Sequence, residues 1–128
     1  MRARVLAADV GGTKTDVALY ALTDGGVEVL REATYPSARH PALESVLAEF
    51  CRPDDAIAAA AFGIAGPVID GAVVTTNLPW RVVGTAVSTA LGGVPVQLLN
   101  DLEATALGAT QLPADQLLRY GVEMADAL

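Results

Sequence analysis

The chain alternates between short, nearly unbroken apolar runs and clusters of glycine, proline and acidic residues. Arg4-Val5-Leu6-Ala7-Ala8-Asp9-Val10 reads as a buried strand running into a glycine pair, Gly11-Gly12. Asp16 to Leu22 predicts a second strand, nearly all apolar, and Val27 to Ala33 a third, with Val27 and Val29 on either side of Glu28. Between them lies Asp24-Gly25-Gly26, the composition of a tight hairpin turn where positive φ is needed, so the three strands should form an antiparallel meander. Pro41 is expected to open a helix at the first position, where its missing N–H costs nothing. Leu43, Val46, Leu47 and Phe50 then follow at i, i+3, i+4, i+7 and give it one apolar face. Pro53-Asp54-Asp55 ends that helix. Ile57 to Ile64 is a continuous apolar run, read as a strand covered on both sides, although its alanines would also suit a helix. Asp70-Gly71 marks a turn between short strands at Val68-Ile69 and Val73-Val74. A weaker helix is expected from about Val82 to Leu91, stopped by Gly92-Gly93. Val94 to Leu99 predicts a last strand and Asp101 to Ala109 a last helix, while Pro113 to Leu128 has no strong period.

This order, β-β-β-α-β-α-β-α, is an α/β pattern with a mixed five-stranded sheet and flanking helices. No internal repeat or linker divides the 128 residues, so they are expected to form one unit. Composition narrows the function. Fifteen Asp and Glu against eight Lys and Arg give a net charge of −7, with Lys14 the only lysine. Such a surface repels a phosphate backbone and anionic lipid, which argues against nucleic-acid and membrane partners. The single cysteine, Cys51, excludes an internal disulfide or a zinc site built on cysteine pairs, and it reads as an inert, half-buried thiol at a helix end. The uncharged run from Val82 to Asn100 approaches the roughly 20 residues of a membrane span, but Gly84, Gly92-Gly93 and Pro95 break it. Asp9 interrupts the apolar stretch after Arg2 and Arg4 too early for a signal peptide, so a cytoplasmic location is expected.

Three segments could carry chemistry. In Asp9-Val10-Gly11-Gly12-Thr13-Lys14-Thr15-Asp16, glycines at a strand end allow close backbone approach, successive free N–H groups can form an anion-binding concavity, and Asp9 can hold a hydrated Mg²⁺. Neither G-x-x-x-x-G-K-[ST] nor G-x-G-x-x-G is present, and a plain hairpin turn fits the same residues locally. Asn100-Asp101 lies at a strand-to-helix junction. There the two residues can serve as caps, or Asp101 can take a proton from a substrate hydroxyl at the sheet's carboxyl edge. Glu103 and Thr105, on the following helix, read as solvated or packing residues. Gly63-Ile64-Ala65-Gly66-Pro67, followed by Thr75-Thr76-Asn77-Leu78-Pro79-Trp80, re-aims the backbone after a buried strand and offers the Asn77 amide, or is simply a loop and hairpin lidded by Trp80. His40, in a loop before Pro41, is expected to be solvent-exposed.

In this order and spacing the three segments resemble the amino-terminal part of bacterial glucokinases, in the sugar-kinase, actin and heat-shock ATPase superfamily, from Val5 to about Val122. Asp9-Val10-Gly11-Gly12-Thr13-Lys14-Thr15 is similar to the family's first phosphate motif. Leu99-Asn100-Asp101-Leu102-Glu103-Ala104 is similar to its sugar-binding and catalytic motif, the more specific of the two. The resemblance implies a ribonuclease-H-like lobe and transfer of the γ-phosphoryl of ATP to the 6-hydroxyl of glucose, with Mg²⁺. It implies Asp101 as the base, Asn100 as a sugar ligand, Asp9 as the Mg²⁺ carboxylate, and Gly11, Gly12, Thr13 and Lys14 beside the phosphates. Gly66, Pro67 and Asn77 match loops bordering the sugar pocket. The second lobe of the family, with its own phosphate loop, adenosine pocket and further sugar ligands, has no counterpart in residues 1–128, so a fragment or truncated product is expected. A non-catalytic sugar- or partner-binding lobe, or an inactive remnant, is the alternative. The related repressors place a helix-turn-helix ahead of the first strand, for which there is no room before Arg4. An apolar face left bare by a missing lobe would favour self-association.

Overall fold

Strand β1 (Arg4–Val10) is the centre of the molecule because its side chains are apolar on both faces: Val5, Leu6, Ala7 and Ala8 are all buried. The computed structural model describes residues 3–24, 26–75, 79–100, 119, 121 and 122. β2 (Lys14–Thr23) and β3 (Gly26–Pro36) follow as the expected antiparallel meander, each longer than the apolar pattern alone indicated. Thr23 pairs with Gly26 at the closed end of the hairpin. β4 (Ile57–Ile64) lies parallel to β1 on its other side, and the last strand of this sheet, Val96–Asn100, lies parallel to β4.

Helix α1 (Leu43–Phe50) buries Leu43, Val46, Leu47 and Phe50, the stripe read from the sequence. It does not begin at Pro41. Ala42 is fully extended and forms the cap. The preceding segment is held outside the helix by contacts at His40, whose N–H donates to Ser37 O at 3.1 Å and whose carbonyl accepts from Trp80 Nε1 at 2.9 Å.

A second, three-stranded sheet is formed by β5 (Val68–Ile69), β6 (Ala72–Val74) and β7 (Arg81–Val83). Asp70 (φ 52°) and Gly71 (φ 74°) both take positive φ, a type I′ connection between β5 and β6. β7 corrects the expectation of a helix from Val82. Val82 and Val83 pair with Val73 and Ala72, Val82 is buried, and helix α2 spans Gly84–Ala90, its first N–H donated to Gly71 O at 2.9 Å. α2 ends as expected at the glycine pair. Gly92 (φ 91°) donates to Thr89 O and Gly93 to Ser88 O, the two hydrogen bonds of a Schellman motif. The chain then enters β8 (Val96–Asn100).

The main sheet has the order β3-β2-β1-β4-β8 with α1 and α2 in the connections, the mixed five-stranded α/β arrangement predicted from the sequence. Its principal core lies on one face, where Leu6, Ala8, Val10, Val17, Leu19, Phe62 and Ile64 meet α1, Trp80, Val82 and Val87. On the other face Ala7 and Leu99 pack with Tyr20. Arg119, Gly121 and Val122 are helical, a local order that the weak periodicity of 113–128 did not signal. Gly121 sits so close to β1 that a Cβ there would strike Val5 Cγ1. The expected helix from Asp101 to Ala109 lies outside the described residues. Among the described residues no helix is long and apolar enough to cross a membrane.

Candidate functional site

The register of the parallel strands brings their carboxyl ends into one row: Val10 pairs with Ile64, and Ile64 with Asn100. With strands about 4.8 Å apart, the ends of β1 and β8 are separated by roughly 10 Å. The glycine turn after β1, the Gly66-Pro67 break after β4 and Asn100 at the end of β8 are therefore close neighbours at the sheet's carboxyl edge, where α/β folds form ligand crevices.

The first part of this edge is the turn from Gly11 to Lys14. Gly11 N–H donates to Lys14 O at 2.9 Å, and a Cβ on Gly11 would lie 2.9 Å from that same oxygen, so the tight closure requires glycine. Gly12 is half-buried and Thr13 exposed, and among the described residues neither donates its backbone N–H to a protein acceptor. The turn is fixed from behind by Ser37, in a short 3₁₀ turn (Ser37–Arg39) that follows β3. Ser37 N–H donates to Thr13 O at 3.1 Å, Ser37 Oγ donates to Gly11 O at 2.7 Å, and Ser37 Oγ lies 2.8 Å from Thr15 Oγ1. Sequence reasoning missed this pair. One signal was available: Thr15 occupies an inward position in phase with Val17, Leu19 and Ala21, and a buried hydroxyl needs a partner. Ser37 carries no local signal.

Asp9 is half-buried and stands on the sheet face opposite the principal core, in phase with Ala7. It lies directly across from Asp16, whose carboxylate accepts a hydrogen bond from Thr34 Oγ1 at 2.6 Å. A groove of about 520 Å³ on this face is lined by Ala7, Asp9, Asp16, Tyr20, Glu32 and Thr34, among others. Among the described residues no group of three or more His, Cys, Asp or Glu side chains could hold a metal ion.

On the other side of the crevice, Asn100 Nδ2 donates to the carbonyl of Gly66 and joins the end of β8 to the loop after β4. Gly66 has φ +142°, and a Cβ there would lie 2.7 Å from Val74 O. Pro67 follows, exposed. Thr75 closes the neighbouring loop, with N–H and Oγ1 both directed to Trp80 O, and Trp80 is buried as a lid on the core. Asn77 and Asp101 lie outside the described residues, so of the sugar-side candidates the structure brings together Asn100, Gly66 and Pro67.

Two further polar groups contribute to packing instead. His40 is not exposed as expected. Its side chain is only 9% accessible, with Nδ1 2.8 Å from Ser45 Oγ, Nε2 3.6 Å from Glu49, and the ring edge-on to Tyr35. Trp80, distant in sequence, closes over this segment. Near the opposite end of the sheet, Asp55 accepts two hydrogen bonds from Arg31, at 2.7 and 3.1 Å, and one from Arg52 N–H at 2.8 Å. Burial alone would raise the Asp55 carboxyl, but these hydrogen bonds and the neighbouring positive charges outweigh it and hold it below the usual range. Burial, with Asp55 nearby, pushes the Cys51 thiol up to about 11, in keeping with an inert residue.

Comparison with known proteins places this geometry in context. The glucokinase family model matches residues 6–127. The chain is 35% identical to a glucokinase of Synechocystis sp. over 91% of its own length and 36% of that relative's. It is 30% identical to a glucokinase of Tolumonas auensis over 99% of its length and 39% of that relative's. A glucokinase structure from an Antarctic psychrotroph superimposes with a TM-score of 0.69 at 28% identity, covering 85% of this chain and 35% of that one. The fold is also that of the Balamuthia mandrillaris glucokinase solved in complex with glucose, at a TM-score of 0.59 and 21% identity over 91% of this chain and 34% of that one. The chain thus spans little more than a third of the length of the relatives it matches. With the family model covering nearly every residue and the motif-bearing strand ends aligned on one edge, the chain belongs to the glucokinase family.

Proposed function

We propose that residues 1–128 form the lobe of an ATP-dependent hexose kinase that carries the catalytic base and the first phosphate loop, with glucose as substrate and the second lobe supplied by sequence outside these residues. The observation that carries this reading is the row Val10–Ile64–Asn100, which sets the glycine turn and the Asn100–Gly66 hydrogen bond on the same edge. Asp101, next in sequence to Asn100, takes the proton of the sugar 6-hydroxyl as that oxygen attacks the γ-phosphorus of ATP. Asn100 hydrogen-bonds sugar hydroxyls, and Gly66, Pro67 and Asn77 border the pocket. The backbone N–H groups of Gly12 and Thr13 meet the phosphate oxygens, Gly11 closes the turn that presents them, Lys14 adds positive charge and Asp9 holds Mg²⁺ through water. When bound, Mg²⁺ neutralises phosphate charge as the phosphoryl group transfers. A cytoplasmic location accords with the use of ATP.

The test is Asp101→Asn in the complete gene product, which preserves the shape of the side chain and removes the base. The expected result is a loss of roughly 10²–10⁴ in kcat, with the KM for glucose changed far less. Near-normal turnover refutes the assignment of the base.

A further inference from the structure

We infer that Ser37 is a positioning residue for phosphate binding: its hydroxyl sets the orientation of the Gly11–Gly12 peptide so that the Gly12 N–H faces the ligand side of the turn. The inference rests on the kinase reading above and deepens it.

Ser37 and Thr15 are both fully buried. Ser37 has one hydroxyl proton, and the 2.7 Å contact with Gly11 O uses it. The 2.8 Å contact between the two hydroxyls is then one in which Thr15 donates to Ser37. The chain runs in one direction, from Thr15 to Ser37 to the Gly11 carbonyl. Ser37 N–H meanwhile holds Thr13 O, so two carbonyls of the turn are drawn toward the same buried residue. In a trans peptide the C=O and the following N–H point in opposite directions. Drawing Gly11 O inward therefore turns Gly12 N–H outward, where it donates to no acceptor among the described residues. An outward N–H in a concave turn is what an anionic oxygen requires.

The pin matters because of the residues it acts on. The peptide lies between two glycines, and without Cβ atoms neither restricts its rotation. Removing the Ser37 hydroxyl leaves the part-buried Gly11 O and the buried Thr15 Oγ1 without that partner, and rotation of the peptide becomes the way to recover a hydrogen bond. Phosphate binding would then have to repay the reordering, whereas the sugar side of the crevice, built on Gly66 and Asn100, is untouched.

The experiment compares steady-state kinetics of the complete gene product with its Ser37→Ala, Ser37→Cys and Val46→Ala variants. Val46→Ala opens a cavity in the core on α1 and serves as the control for a general loss of stability. Ser37→Ala is expected to raise the KM for ATP about 10-fold while the KM for glucose stays within about 2-fold. Ser37→Cys keeps the shape with a weaker donor and should fall between, and it carries the test if Ser37→Ala does not fold. Val46→Ala should lower the Tm without separating the two KM values. An ATP KM unmoved by either Ser37 variant in an active parent overturns the inference alone, as does an equal rise in both KM values or the same ATP-selective rise in Val46→Ala. A parent protein that does not phosphorylate glucose with ATP overturns the kinase reading and this inference together.

Discussion

Substituting Gly66 by alanine isolates the cost of building the loop beside Asn100. Two separate penalties meet at this position. The backbone is at φ +142°, a region that L residues rarely adopt, worth roughly 1–3 kcal/mol. The added Cβ would also lie 2.7 Å from Val74 O and 3.0 Å from Val73 Cγ1. Neither atom can retreat cheaply, because Val73 is fully buried and both residues are paired to β7. Overpacking of this kind adds about 1–3 kcal/mol, for a combined loss near 4 kcal/mol. Gly71 provides the internal comparison. It has φ +74°, but a Cβ there meets nothing within 4 Å, so Gly71→Ala should cost only the left-handed penalty of roughly 1–2 kcal/mol. Urea unfolding followed by the fluorescence of the single, buried Trp80 measures both variants on one probe. In the complete gene product, Gly66→Ala should also raise the KM for glucose, since the Gly66 carbonyl that Asn100 holds would be displaced. If Gly66→Ala proves no less stable than Gly71→Ala, the steric argument is wrong.

Three other outcomes follow from the same structure. Arg31→Met removes the partner of a nearly buried carboxylate and should cost about 3 kcal/mol at pH 7. Because the folded-state Asp55 carboxyl is held below its ordinary value, its contribution is present above about pH 4 and is lost as pH falls through the folded pKa. The stability gap between wild type and Arg31→Met should therefore be widest near neutrality and narrow below about pH 4; urea melts across pH 3–7 that give a constant gap would contradict this sign. Separately, residues 1–128 alone should show no glucose phosphorylation in a coupled glucose-6-phosphate assay, because an unopposed lobe lacks a positioning term worth about 7–11 kcal/mol. The exposed Val27, Val29, Ile69 and Val74 should make that isolated chain self-associate in analytical ultracentrifugation, and turnover by a strict monomer would sink both statements.

Legibility in the sequence followed the range of the contacts involved. β1, β4 and α1 were legible because burial on two faces, or on one stripe, writes itself into consecutive residues. The Asp70-Gly71 turn and the Gly92-Gly93 helix stop were legible because positive φ selects glycine and aspartate locally. The boundary between β7 and α2 was not, since Val82 and Val83 extend only because β6 is there to pair with them. His40 read as a loop residue because what buries it includes Trp80, forty residues away. The site divides the same way. The glycine turn and Asn100 could be nominated from the chain alone, whereas the Asn100–Gly66 contact spans 34 residues and Ser37 reaches Gly11 across 26.

Chain direction explains why the polar positions gather where they do. β1, β4 and β8 run parallel and β2 runs antiparallel to β1, so the carboxyl ends of the first three and the start of β2 share one edge. β3 is antiparallel to β2, which returns its own end, and hence Ser37, to that edge; Lys14 pairs with Pro36. Five strand ends thus converge within a few strand widths, and each frees backbone groups from the sheet ladder. The amino ends carry the opposite character. Arg4 begins β1 and donates to Asp55 O at 3.2 Å, while Asp55, just before β4, binds Arg31, which also donates to Phe50 O at 2.8 Å. Groups at that edge satisfy one another and stabilise the lobe. At the carboxyl edge, glycines in tight or strained positions and the outward N–H of Gly12 stabilise nothing by themselves. Such costs persist only where the rest of the fold over-determines them, as the Ser37 contacts do at the glycine turn and the Asn100 contact does at Gly66.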